Sequence, residues 1–234
     1  MKQKGRPPQR RPTKTDQGKG YEGVHLAKEV VEELKATARP GKGDILVKVF
    51  SDAVAAFAAG DFAEAIRLGE QSKHIALRAV GPREFLGLAY YKAGQYSEAA
   101  HELAAFRRLS GSTEQNPVLA DCHRALGKPE KAIEYCDEVP PSATPEVYHE
   151  AQIVAAGALS DIGRSDEAIA RLEQLDLRPA VAEAHHVRVW YVLADLLERK
   201  GRFTQAREWF EAAAAADPEG TDAAERAERL QSTR

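Results

Sequence analysis

Cysteine is nearly absent from this chain: Cys122 and Cys136 are the only two in 234 residues. Two thiols cannot build a disulfide framework, which excludes a stapled secreted domain and fits a reducing cytoplasm. Long apolar runs are also missing. Charges interrupt every hydrophobic stretch well before the roughly 18 residues of a membrane span, so no membrane partner is expected. The N-terminus is basic but has no apolar segment behind it, so it does not read as a secretory signal. What remains is 43% apolar and 29% charged, a composition able to bury a sizeable core.

Charge is unevenly placed. Residues 1–20 hold seven basic side chains (Lys2, Lys4, Arg6, Arg10, Arg11, Lys14, Lys19) against Asp16, a net +6, while the rest of the chain carries −9. Three prolines, three glycines and no apolar side chain beyond Met1 leave the arm too little surface to offset its ordering entropy. It reads as disordered over 1–22. Three roles stay open for it: a nucleic-acid or ribosome tether using Lys2, Lys4, Arg6, Arg10, Arg11 and Lys14, a segment folded back over the acidic body, or a solubilising tail.

The rest of the chain is organised by small residues. Gly60, Gly94, Gly127, Gly163 and Gly201 follow one another at intervals of 34, 33, 36 and 38 residues. Each closes an Ala/Leu-rich helical stretch and precedes a polar residue, as a helix does when it stops on a left-handed glycine. Five residues after each glycine stands an alanine (Ala65, Ala99, Ala132, Ala168, Ala206). With alanine about one-sixth of the chain, that coincidence arises by chance on the order of 1 in 10⁴. Seven residues before them come Ala53, Gly87, Ala120, Ala156 and Ala194, all small. Facing small residues predict tightly packed antiparallel helix pairs.

These residues resemble the tetratricopeptide repeat (TPR) family. The last unit carries Trp190, Leu193, Ala194, Leu197, Gly201, Phe203, Ala206, Phe210, Ala213 and Pro218 at the family's spacings, and the second carries Leu86, Gly87, Tyr90, Gly94, Tyr96, Ala99, Leu103 and Phe106. The other units depart from it: Gly69 replaces an aromatic, Asp52 a leucine, and Pro129 and Ser165 the aromatic after the turn. The resemblance implies an all-α, right-handed superhelical solenoid, with five hairpins over 46–220. A cap helix over Val24–Ala38 and its linker fill 23–45, and a charged capping helix falls within 221–234. The alanine content and the excess of Arg over Lys also resemble TPR proteins of GC-rich actinobacteria.

No catalytic or metal-binding pattern stands out in the sequence. Gly41-Lys42-Gly43-Asp44 lacks the spacing of a phosphate loop. His185 and His186 are adjacent, so their side chains point about 100° apart on a helix, and no cysteine or carboxylate stands at a ligand spacing from them. Cys136 falls on an apolar face, as a buried structural thiol does. With no nucleophile–base pair above background, the expectation is a non-enzymatic protein without metal or cofactor.

Function on such a frame resides in a surface. The family implies that the first helix of each pair lines the concave face, at ten, six and three residues before each glycine. That places Phe50, Val54 and Phe57 under the cap helix and Pro117, Ile153, Gly157 and Ser160 along the groove. Glu84, Leu88, Tyr91, Asp121, Arg124, Tyr191, Asp195 and Glu198 become candidates to bind a protein or peptide of basic character. The Lys and Asn carboxylate clamp of some chaperone-binding TPR domains is missing at these positions. A scaffold or adaptor is the leading reading, and an RNA- or ribosome-associated factor is the alternative. Monomer and homodimer both stay open.

Overall fold

The computed structural model describes residues 23–231; the basic arm, with all its lysines and arginines, lies outside them. Among the described residues there are twelve helices and no strands. A cap helix, α1 (Lys28–Thr37), precedes five antiparallel pairs: α2 (Gly43–Ala58) with α3 (Phe62–Ile75), α4 (Val80–Lys92) with α5 (Tyr96–Ser110), α6 (Asn116–Ala125) with α7 (Pro129–Asp137), α8 (Pro145–Asp161) with α9 (Ser165–Glu173), and α10 (Ala184–Arg199) with α11 (Phe203–Ala216). A last helix, α12 (Ala223–Gln231), closes the far end. Helix α1 begins four residues later than its apolar pattern suggests, since Val24 is exposed and the chain through Ala27 is extended.

The five hairpin turns share one geometry. Their glycines sit at φ between 70° (Gly127) and 79° (Gly163), and a Cβ on any of them would meet nothing within 4 Å. The requirement for glycine is therefore conformational and not steric. The N–H of the next residue reaches the carbonyl five positions back, as in Gln95 to Tyr90 and Arg202 to Leu197, each 2.9 Å. This is the bond that satisfies a helix's last orphan carbonyls at a left-handed stop. Asp61 then caps α3 by accepting the Glu64 N–H at 3.1 Å.

The small residues on either side of the turns are all buried, and each of the nine alanines among them is 0% exposed. They let the paired helices approach closely, and larger side chains fill the space around them. Gly69 shows how the degenerate first unit copes: a Cβ there would lie 2.8 Å from Leu86 and 3.1 Å from the Phe85 ring. Phe85 of the next unit, packed edge-on against Phe50 at 5.4 Å, occupies the place where an aromatic at position 69 would have to fit. Helix α1 covers Phe50 and Val54 with Val30 and Leu34, joined by Leu26 from the extended chain before it.

Units three and four keep the frame but shorten their second helices. Helices α7 and α9 have 9 residues each, against 14 or 15 for α3, α5 and α11. Pro140-Pro141 stops α7, because the residue before a proline is pushed out of the helical region. The segment after α9 is held down instead by Trp190, whose indole N–H donates to the Leu177 carbonyl at 3.1 Å. The missing turns open two clefts along α8, of about 590 and 710 Å³. Arg171 bridges the walls, donating to Gln152 at 2.7 Å and pairing with Asp137 at 2.8 Å.

Candidate functional site

Successive first helices place their face residues side by side, so a side chain of one unit meets the next about one repeat later. Gln115, just before α6, donates to Glu84 of α4 at 2.8 Å. The Tyr91 hydroxyl donates to Asp121 at 2.7 Å, and Arg124 reaches Asp121 at 3.2 Å and Asp161 of α8 at 2.6 Å. Gly157 makes the last contact feasible, since a Cβ there would fall 2.8 Å from the Arg124 guanidinium. The result is one polar row, Tyr91–Asp121–Arg124–Asp161, crossing three units.

Burial and neighbouring charge act on Tyr91, Arg124 and the nearby Glu84. Burial pushes the Tyr91 phenol well above its usual value, and its bond to the Asp121 carboxylate pushes the same way, so the hydroxyl stays a donor. Burial opposes the Arg124 charge, but Asp161 and Asp121 outweigh it. The Glu84 carboxyl is raised by burial against the opposing Gln115 bond. Arg124, Asp121 and Asp161 nevertheless keep 32%, 30% and 44% of their side-chain surface open.

The last unit is arranged differently. Arg226 of α12 donates to Asp195 at 2.8 Å and to Glu198, lies 4.3 Å from the Phe210 ring centroid, and is itself only 13% exposed. Tyr191 donates to Asp222 at 2.6 Å. Tyr191, Asp195 and Glu198 are thus engaged by the chain's own terminal helix.

Matches to known proteins agree with this architecture. The family model described as tetratricopeptide repeat matches residues 86–146 and 154–221, more than half of the chain. The chain belongs to the tetratricopeptide repeat family. Similar solved structures include TTC0263, a thermophilic TPR protein of Thermus thermophilus, at 19% identity and TM-score 0.61, covering 80% of this chain and 98% of that one. MamA protein aligns at 20% identity and TM-score 0.57 over 76% of this chain and 94% of that one. YrrB, described as a TPR protein with an unusual peptide-binding site, aligns at 18% identity and TM-score 0.53 over 84% and 95%. At these identities the likeness concerns the fold. The comparison with curated proteins gives no match.

TPR proteins are generally non-catalytic protein-interaction scaffolds. Cys122 in α6 and Cys136 in α7 are free, buried, and pushed up by burial to about 12. Among the described residues no helix is long and apolar enough to cross a membrane. Of the groove positions, Pro117 and Ile153 are buried, Ile153 within the apolar cluster that α8 shares with α9, α10 and α11.

Contrary to the expectation from sequence, His185 and His186 do not stand alone. His149 of α8 lies beside them, 4.5 and 5.5 Å away between ring centroids. Glu146 and Glu183 are also near His185. Ligand spacing along the sequence missed this because the solenoid, and not the helix, brings them together. A signal existed: His149 stands 14 residues before its turn glycine, and His186 and His185 stand 15 and 16 before theirs. Gln115, Asp161 and Arg226, which sequence reasoning left out of the face, likewise meet partners about one repeat away, Glu84, Arg124 and Asp195, at separations of 31, 37 and 31 residues.

Proposed function

We propose that this TPR protein is a non-enzymatic adaptor that holds a protein or peptide segment of basic character against the concave face of α4 and α6. Glu84, Leu88, Tyr91, Asp121 and Arg124 are the contact residues. The observation that carries this reading is the half-open polar row through Tyr91, Asp121 and Arg124. Ion pairs this exposed contribute little to stability, about 0–1 kcal/mol each, so the row is better suited to recognising a ligand than to holding the solenoid. Leu88, half-buried between these polar groups, offers an apolar anchor of the kind interface centres use. Tyr191, Asp195 and Glu198 extend the face only when α12 is displaced.

Capture of partners from source-cell extract, with and without nuclease, tests the reading. The full-length protein is compared with Tyr91→Ala and Asp121→Lys. A partner lost with both variants and indifferent to nuclease is the expected result. Binding that survives both substitutions, or that depends on nucleic acid, would overturn it; the second outcome would favour the basic arm as a tether.

A further inference from the structure

Three imidazoles from two repeats converge where α8 and α10 begin. His149 lies one turn into α8, and His185 and His186 occupy the first turn of α10. A ring nitrogen of each lies within 4.8 Å of the other two. A tetrahedral zinc ion with bonds near 2.0–2.1 Å needs its nitrogens about 3.3 Å apart, so side-chain rotations that move each nitrogen by about 1 Å close the set on one centre.

The surroundings favour ligation. The His149 Nδ1 is 2.6 Å from the Pro145 carbonyl, which can only accept, so the proton is on Nδ1 and the Nε2 lone pair is free. Metal-ligating imidazoles are held by this kind of outer bond. His185 is buried at 8% exposure, with Nδ1 3.7 Å from a Glu183 carboxylate oxygen. His186 accepts the Glu183 N–H on Nδ1 at 3.1 Å. Coordination at that nitrogen exchanges the contact for the metal, at an exposed helix end where water can take the N–H. Glu146 and Glu183 form a second group with His185, again with ligand atoms within 4.8 Å. Their charge offsets the positive ends of the two helices, which would otherwise repel a cation. The histidines line the cleft of about 710 Å³ left by the shortened α9, which gives an ion a path in.

We propose that His149, His185 and His186 form a site for a divalent transition metal, zinc foremost, with Glu146 or Glu183 supplying a carboxylate. Imidazole ligands suit zinc, nickel and copper, whereas magnesium and calcium prefer sets made wholly of oxygen. An ion held there ties α8 to α10 across the repeat boundary and so raises the stability of units four and five.

The test is calorimetric titration of the untagged full-length protein with Zn²⁺, with Mg²⁺ in parallel, joined to thermal unfolding with and without Zn²⁺. One equivalent of Zn²⁺ should bind and raise the melting temperature, while Mg²⁺ gives no heat. His149→Ala should weaken Zn²⁺ binding at least about 100-fold, since losing an outer-shell partner alone costs up to that much. His186→Gln is the second variant should His149→Ala fold poorly, and His74→Ala and His101→Ala, at exposed sites on α3 and α5, should leave binding unchanged. Failure to bind Zn²⁺ overturns the proposal. So does binding that persists in both His149→Ala and His186→Gln, or that is lost with His74 or His101.

Discussion

Gly87 sits where α4 crosses α5, and replacing it with alanine sets two effects against each other. Alanine in a helix interior gains about 1 kcal/mol over glycine. The added Cβ, however, would lie 2.4 and 2.5 Å from the Leu103 Cδ2 and Cγ, well inside the 3.4 Å at which ordinary contact begins. Leu103 is 1% exposed and enclosed by Ala99, Leu119 and Cys122, so it cannot swing out. Overpacking of this kind costs about 1–3 kcal/mol, and the clash should win by about 1 kcal/mol. Urea unfolding followed by far-UV circular dichroism would measure it, with Leu103→Ala and the double variant completing a cycle. The double variant should be less destabilised than the sum of the two, by about 1–2 kcal/mol, because removing the leucine relieves the overlap. A Gly87→Ala protein about 1 kcal/mol more stable than wild type would refute the close-approach account of this position.

Three further outcomes follow from the packing. Glu102 is 3% exposed and held by Lys73 at 2.9 Å and Arg83 at 2.7 Å, joining α3, α4 and α5. Burial would raise its carboxyl, but the bonds and charges of Arg83 and Lys73 outweigh burial and keep it below its ordinary 4.5. A depressed carboxylate stabilises above its unfolded pKa, and this contribution is lost as pH falls through the lower, folded value. Glu102→Gln should therefore destabilise by about 3 kcal/mol at neutral pH and lose less stability than wild type on acidification below pH 4.5, as read by urea unfolding across pH. Arg226→Ala should free α12 first, seen as faster amide exchange over Ala223–Gln231 with α2–α5 unchanged; uniform change along the chain would contradict its local role. Cys122 and Cys136 should resist thiol reagents in the folded protein and react fully in denaturant, whereas fast native labelling would show that the third hairpin opens.

The frame of this fold was legible because its determinants are local. A left-handed turn needs glycine, a close crossing needs Ala or Gly, and both recur at fixed offsets that a sequence displays directly. The early stop of α7 has a local cause in Pro140-Pro141, whereas the chain after α9 is held by Trp190 reaching the Leu177 carbonyl from a later helix, a contact that no local pattern displays. The same fixed offsets pick out Tyr91, Asp121 and Arg124, which the solenoid joins in one row. What the sequence did not reveal was who meets whom: Arg124 with Asp161 across Gly157, Arg226 with Asp195, His149 with His185. Each of these pairs joins neighbouring units at nearly matched register, so comparing polar residues about one repeat apart would have found them.

Photo-crosslinking tests the central claim, partner binding on the concave face, most directly. A benzophenone amino acid is placed at Leu88 on α4, and separately at Arg108, an exposed residue of α5, before exposure to the partner captured from cells. The account predicts crosslinks from position 88 and none from position 108. Crosslinks from position 108 with none from 88 would place the partner on the opposite surface and contradict it.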